Sequence, residues 1–444
     1  MKTLFPSICV FGLATALTAQ SQQGDFVATA YANSFSKTNG GLFVVSALAG
    51  TVTDLKATGN LTNSYSIATD PYDDSILWVG TRRPSNTATP AIYKVVSVAG
   101  KILSTTKLGV TLTAADHTVL QVRVWGHRLL FLTTTQLSSI PLTGGKTTVV
   151  MKFDTNTGAP FNFACDGRNV YVNMQPTVTL LAEHILHIDL EAPQFRTVIY
   201  QTGGITHFIP SLTINPDGNL LITESEAFSG VSHLKQMDAK GKVLRTFKLP
   251  FTHGVAGARM DSSGTIIVVA GKTYDTANQR IVSGFLTLLS WKIFKTQFGT
   301  SPEQYTHVDI RGHIPLNRYG HVCQSATKWR PEIAAVGLPQ IGNTNYKLYV
   351  KGIPGANAML LVGAHGAMPI PFPLSIMGAG TCELGVQPLI SLPVKLTNTG
   401  DLLLPASIPA SASTGNIDIQ WLIAEAGANR ARFVSSQIGS IVIR

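Results

Sequence analysis

Asn215-Pro216-Asp217-Gly218-Asn219-Leu220-Leu221-Ile222-Thr223 reads as a polar turn followed by an apolar strand. Asn and Asp tolerate the left-handed region, and Gly supplies positive φ without steric cost, so the first four residues suit a tight hairpin. The same phrase returns as Asp261-Ser262-Ser263-Gly264 before Thr265-Ile266-Ile267-Val268-Val269, and as Asp166-Gly167-Arg168 before Asn169-Val170-Tyr171-Val172. Looser copies stand at Asp70–Asp74 before Ile76–Val79, at Gly126-His127-Arg128 before Leu129–Leu132, and at Asn39-Gly40-Gly41 before Leu42–Val45. Taking Gly126, Gly167, Gly218 and Gly264 as markers, the steps are 41, 51 and 46 residues.

A second signature closes several repeats. His233 to Met237, the turn Asp238-Ala239-Lys240-Gly241, and Lys242 to Phe247 read as strand, turn, strand; Ala91–Lys94 and Gly100–Leu103 repeat the pattern. Each unit thus holds four strands, which is one blade of a β-propeller. A period of about 45 residues favours propellers over shorter solenoid repeats. The expected fold is all-β, with six blades over residues 25–300, seven being the alternative. No Trp-Asp dipeptide occurs, which argues against a WD40 propeller.

The Asp-Gly turn followed by a strand resembles the repeat of NHL-like and lactonase-like propellers, and Asn215–Glu224 also looks like the repeat of streptogramin lyases. That resemblance implies a propeller of the same kind. In the lyases a His and a Glu act in elimination chemistry, and Glu224 stands where the resemblance would place the Glu. Blade motifs identify a fold and not an activity.

Composition agrees with many short strands. Gly and Pro supply 40 and 23 residues, and charged residues are only 13% of the chain. Residues 331–444 change character, with few charges and short alternating segments such as Tyr346–Val350, Ala358–Val362 and Ile417–Ile423 between turn signals, the pattern of a β-sandwich. Gly337-Leu338-Pro339-Gln340-Ile341-Gly342, Gly380-Thr381-Cys382 and Gln420 resemble landmarks of a C-terminal β-domain found on secreted proteins of planctomycete-like bacteria. Residues 301–330 are expected to be a linker.

Met1-Lys2-Thr3 and the apolar or small run Leu4–Ala19 fit a secretory signal peptide over residues 1–20. The run contains Pro6 and Gly12 and falls short of the roughly 20 apolar residues a spanning helix needs. The mature chain is therefore expected outside the cytoplasm, secreted or at a cell surface or in a periplasm, with no transmembrane segment. Three cysteines follow the signal, and an oxidising compartment allows one disulfide among them. Cys323–Cys382 is preferred because it ties the linker to the tail, and Cys165 reads as a small core residue. Net charge is +10, of which about +8 falls between the signal and residue 331, with no Lys/Arg run of the nucleic-acid kind.

His207 and His253 each lie 11 residues before a marker glycine, and His117 lies 9 before another. The segment before the Asp-Gly turn is the innermost strand of a blade. The three histidines are therefore expected at one mouth of the central channel, with Asp116 and Glu224 as neighbouring carboxylates. Glu224 itself reads as a loop residue facing solvent. Glu183-His184-x-x-His187 falls in a strand, where side chains alternate, so the two histidines cannot share a metal. Gly-x-Ser-x-Gly, P-loop and dinucleotide fingerprints are absent. The expected function is binding of a small molecule, polysaccharide or protein at the channel mouth, with the tail associating with the cell envelope. The alternative is a lactonase- or lyase-like enzyme, metal-assisted or not. No cofactor is named by the sequence.

Overall fold

The computed structural model of the chain describes residues 25–443 with short breaks, the longest being 32–40, 324–330 and 375–381. The expected signal peptide and the glycines at 126, 167 and 264 lie outside the described residues.

Six four-stranded antiparallel sheets are present among the described residues. The second runs Ser64–Thr69, Ile76–Thr81, Ile92–Val98, Lys101–Lys107. The third runs Gln121–Trp125, Arg128–Leu132, Gln136–Pro141, Thr148–Lys152. The fourth runs Ala159–Asp166, Asn169–Gln175, His184–Asp189, Arg196–Gln201. The fifth runs His207–Ile214, Leu220–Glu226, Ser232–Met237, Val243–Leu249, and the sixth Val255–Met260, Ile266–Asp275, Arg280–Leu289, Lys292–Ser301. The first is built from both ends of this region: Gln304–Ile310 pairs with Asp25–Tyr31, which continues to Gly41–Ser46 and Thr51–Asp54. This corrects the linker expectation, because the stretch 304–310 completes a sheet instead of joining two domains. A strand needs its backbone groups paired, and the open edge of Asp25–Tyr31 supplies the partner.

The leading strands neighbour one another in a closed ring, from Gln304–Ile310 through the second to the sixth sheet and back. Each pair of adjacent sheets shares one apolar cluster, from Val27, Leu42, Ile67 and Leu77 between the first and second to Ala270, Phe285, Phe26 and Val308 between the sixth and first. The second strands are buried on both faces, whereas outer strands such as Lys101–Lys107 are mostly exposed. The architecture is thus all-β and propeller-like.

Polar links join the leading strands around the ring. Thr69 N donates to Asp309 Oδ2 (2.8 Å), Ser66 Oγ to Val119 O (2.9 Å), and Phe163 N to Gln121 Oε1 (2.6 Å). Asn162 Nδ2 donates to Ile209 O (3.0 Å), Ala258 N to Ser211 Oγ (3.2 Å), and Arg259 Nε to Asp309 Oδ1 (2.9 Å). Bulges recur in these strands, at Ser64/Ser66, Pro160/Asn162, Phe208/Ser211 and Val255/Gly257. A bulge leaves backbone groups unpaired within its own sheet, and at Ile209 the neighbouring sheet satisfies them.

The quoted turn behaves as its residues require. Gly218 sits at φ 79, its N donates to Asn215 O, and Asn219 N donates to Asn215 Oδ1 (2.9 Å). In the closing hairpin Asp238 Oδ1 accepts from Lys240 N and Lys242 N, and Gly241 sits at φ 87. A Cβ on Gly241 would stand 1.7 Å from Ile199 O of the fourth sheet. Gly241→Ala is therefore expected to cost about 2 kcal/mol or more, from clash and strained φ together. Thermal unfolding checks it, and an unchanged midpoint would refute this close approach.

After residue 316 a separate cluster of sheets follows. A five-stranded sheet orders Asn317–Tyr319, Phe433–Ile443, Gly415–Ala424, Asn357–Ala364 and Ile390–Lys395. A three-stranded sheet orders Glu332–Val336, Lys347–Lys351 and Asp401–Pro405. Both contribute to one core, with Ile333, Leu348 and Val350 packed together with Leu360, Trp421, Ile423 and Val434. Cys323 and Cys382 form a disulfide into this core, and Cys165 lies half-buried in the fourth sheet. Gln420, buried mid-strand, accepts from Gly385 N and donates to Glu383 O and Ser436 O. Its place in the landmark pattern is thus structural. Trp125 of the third sheet packs with Leu361, Val386 and Ile438, which seats this cluster against the ring.

Candidate functional site

The seam between the fourth and fifth sheets carries the densest group of titratable side chains. Glu224 is the fifth residue of Leu220–Glu226, flanked by Thr223 and Ser225, and is buried. The solvent-facing loop position expected for it is corrected: the strand continues through Glu224 because Ser225 pairs with Ser232 and Glu224 with His233. Its carboxylate accepts three hydrogen bonds. Tyr200 Oη donates to Oε2 at 2.5 Å, Lys235 Nζ to Oε2 at 2.9 Å, and His207 Nδ1 lies 3.1 Å from Oε1. Lys235 also donates to Tyr200 Oη (2.9 Å) and lies over that ring. Tyr200 comes from the outer strand of the fourth sheet, and the other three come from three strands of the fifth.

Burial pushes the Glu224 carboxyl up, but the hydrogen bonds from Tyr200 and Lys235, the Lys235 charge and His207 outweigh it and hold the group below its usual range. For Lys235, burial opposes the charge, and the bonds to Tyr200 and Glu224 more than offset it, so its pKa is raised. The Tyr200 hydroxyl is raised by burial and by Glu224.

An ionised Glu224 can only accept. His207 therefore carries its proton on Nδ1, which puts the lone pair of the neutral ring on Nε2. Among the described residues Nε2 takes no hydrogen bond. The His207 side chain is 30% exposed against 5% for Glu224, so the imidazole is the accessible end of a buried polar chain.

A second carboxylate lies in the same seam. Glu183 Oε2 accepts from Asn173 Nδ2 (3.0 Å) and from Ile209 N (2.7 Å), the backbone of the bulge. Burial pushes this carboxyl up; its hydrogen bonds resist, and the charge of Glu224 adds to the rise. Two acidic groups in one seam are thus driven apart, one kept charged and the other toward neutral, a separation found where one group must give a proton and another hold a charge.

The other expected residues are placed elsewhere. His117 Nδ1 lies 3.0 Å from Arg83 Nη1 at an exposed position, and buried Asp116 accepts from Thr135 Oγ1 (2.9 Å). His253 stacks on Tyr274 and lies 3.0 Å from Thr252 Oγ1. No described contact joins the three histidines; each opens or precedes the leading strand of its sheet. His184 and His187 fall three apart on one strand, and His187 pairs with Asn169 Oδ1 and stacks on Tyr171. Among the described residues no three His, Cys, Asp or Glu side chains group to hold a metal, and no helix is long and apolar enough to cross a membrane.

His365, Asp418 and Ser440 meet in the C-terminal cluster, yet they do not form a nucleophilic triad. Asp418 Oδ1 (2.8 Å) and Ser440 Oγ (3.0 Å) both approach Nδ1 of His365, so the hydroxyl does not face the nitrogen opposite the carboxylate. Tyr200 and Lys235 were missed from the sequence, since neither stands in a motif. In the sequence Glu183 stands only within a metal-like fragment, and its burial against a bulge in another sheet has no local signal.

No protein-family model matches the chain, and no curated protein matches it. Among solved structures, the chain is similar to a component of a nidogen/laminin complex, with 12% identity over 66% of this chain and 100% of that one (TM-score 0.47). It is also similar to a putative 6-phosphogluconolactonase from Bacteroides fragilis, with 8% identity over 86% and 99% of the two chains (TM-score 0.39). The Pan2 WD40 domain of Neurospora crassa is similar at 10% identity over 77% and 88% (TM-score 0.36).

Proposed function

We propose that the chain is an exported six-bladed β-propeller that binds a ligand at the His207 end of the seam between its fourth and fifth blades, with a C-terminal β-sandwich that associates with the cell envelope. The observation that carries the binding site is His207: a partly exposed imidazole, anchored through Nδ1 to a buried carboxylate that Tyr200 and Lys235 hold in place. Such a chain fixes the ring and leaves one defined polar atom for a partner, which is how pre-organised sites gain specificity. Export rests on the signal-peptide pattern of residues 1–20. Envelope association rests on the edge strand Ile390–Lys395, whose Ile390 and Leu392, with the preceding Leu389, are exposed.

Screening the mature protein against an array of glycans and small metabolites, beside His207→Ala, tests the site. The variant is expected to lose about tenfold or more in affinity, near 1.4 kcal/mol, for the ligands the parent retains. An identical binding profile in both proteins would remove the seam from the proposal.

A second reading follows from the pairing of His207 with Glu224 and from the opposed shifts of Glu183 and Glu224. In a lyase of the kind the repeat resembles, His207 Nε2 would take a proton from the carbon beside a carboxylate or carbonyl, the electron pair would form a C=C bond as the C–O bond at the next carbon breaks, and the departing oxygen would leave as an alcohol protonated from solvent, with Glu224 holding the tautomer of the ring. The test is release of an unsaturated product from a uronic-acid-containing polysaccharide. Turnover lost in His207→Gln with binding kept supports the enzyme; no turnover on any such substrate leaves the binding reading.

A further inference from the structure

Arg123, Arg259 and Asp309 come from the third, sixth and first sheets. The first and third sheets are not adjacent, so their side chains can meet only inside the ring that the leading strands make. There, Asp309 Oδ1 accepts from Arg259 Nε at 2.9 Å and lies 3.6 Å from Arg123 Nη1. Asp309 Oδ2 is occupied by Thr69, whose N donates at 2.8 Å and whose hydroxyl lies at 3.3 Å.

The guanidinium groups are less well satisfied. Arg123 Nη1 reaches Ile67 O only at 3.5 Å, and Arg259 uses Nε alone. A guanidinium offers five donors in a planar fork. Among the described residues the two terminal nitrogens of Arg259, and Nε and Nη2 of Arg123, have no protein acceptor, and none of them is a fully buried orphan, so these donors are open to the solvent of the ring interior. Both side chains are nonetheless mostly withdrawn from bulk solvent, Arg259 to 7% and Arg123 to 13% exposure. Among the described residues two positive charges thus share one carboxylate, with their remaining donors open to the ring interior. Burial pushes the Arg123 guanidinium below its ordinary value by more than Asp309 and Cys165 restore, which is the mark of an under-compensated charge.

Uncompensated buried charge is costly, and water can fill the donors without neutralising it. An oxyanion does both, because its oxygens match the guanidinium fork. We infer that the interior of the ring binds a small oxyanion, a carboxylate or phosphate group, between Arg123 and Arg259, with Asp309 fixing both forks. The site is distinct from the His207 seam. It takes either a free inorganic anion or the acidic end of a larger ligand entering the channel.

The test titrates the mature protein with inorganic phosphate and separately with glucuronate, each against sodium chloride at matched ionic strength, following the unfolding midpoint and binding heat. A saturable rise in the midpoint is expected with at least one probe. Tighter binding of phosphate identifies a free inorganic anion; tighter binding of glucuronate identifies the acidic end of a sugar. Arg123→Gln is expected to raise the half-saturating concentration at least tenfold. If that variant fails to fold, Arg123→Lys keeps the charge, loses the fork, and is expected to weaken binding several-fold. No saturable effect with either probe, or saturation unchanged in the Arg123 variant, overturns the inference. His207→Ala is expected to leave saturation by inorganic phosphate unchanged, and a loss there equal to that of Arg123→Gln would move the anion to the seam and overturn the inference as well.

Discussion

Asp309→Ala is expected to be the most damaging single substitution in the ring. Asp309 accepts from Arg259 of the sixth sheet and from Thr69 of the second while sitting in the strand that closes the first. Its removal takes from the buried Arg259 guanidinium the carboxylate that accepts from its Nε, and from the Thr69 amide the acceptor at 2.8 Å. Breaking a buried ion pair by deleting one partner costs about 3–5 kcal/mol, because the remaining charge stays desolvated. That is a large share of the stability of an ordinary domain. Denaturant unfolding should show the loss, and it should fall on the ring and spare the C-terminal cluster, whose core is separate. Loss of less than about 1 kcal/mol would mean that Asp309 is not the closure point of the ring. Asp309→Asn is expected to lie between, since the amide oxygen can still accept from Thr69 but cannot balance a guanidinium.

The second large effect is a contrast between two glutamates in one seam. Glu224→Gln removes the charge that Lys235, Tyr200 and His207 surround, and is expected to cost roughly 3 kcal/mol at pH 7. Glu183→Gln keeps an oxygen for Asn173 and the Ile209 amide, and replaces a carboxyl already pushed toward its neutral form. It is expected to be neutral or stabilising at pH 8. The pH dependence separates them further. The folded pKa of Glu224 is depressed, so its stabilisation is complete above the unfolded value of about 4.3 and is lost as pH falls through the lower folded value. The folded pKa of Glu183 is raised, so it favours the folded state at low pH and that contribution disappears as pH rises through the folded value. The acid limb of the parent's stability curve should therefore flatten in Glu224→Gln, and the decline that begins above the unfolded carboxyl value should flatten in Glu183→Gln. Equal losses in both variants at pH 8 would sink the assignment of opposite shifts.

Much of the ring was legible in the chain because its information is local. Asn215, Gly218, Asp238 and Gly241 carry turn geometry in their own side chains or lack of one, and the structure uses each of them that way. The four-strand unit and the change of character in the tail were readable for the same reason, and the Cys323–Cys382 bond follows the preferred pairing. The stretch 304–310 was misread as linker. Its residues Gln-Tyr-Thr-His-Val-Asp-Ile carry no turn phrase, and only the open edge of the strand Asp25–Tyr31, nearly three hundred residues earlier in sequence, makes them a strand of the ring. Glu224 was misread as a loop residue because a carboxylate after an apolar run ordinarily marks a strand's exposed end. Its burial depends on a tyrosine from the neighbouring sheet and a lysine one strand over.

Sequence alone therefore determined the repeat: a turn whose Asp, Asn and Gly must adopt left-handed or capped geometry, followed by strands that must bury both faces. These preferences act over a few residues and survive reading in one dimension. Tertiary structure decided which strand closes the ring, which carboxylate of the seam is shifted down and which up, and that Arg123 and Arg259 face Asp309 across non-adjacent sheets. Those outcomes depend on desolvation and on hydrogen bonds between distant segments, and neither leaves a mark on the local order of residues. The quoted stretch from Asn215 to Thr223 thus fixes the hairpin that begins its sheet, while the glutamate that follows it acquires its character from Lys235 and His207 on other strands and from Tyr200 of the sheet next door.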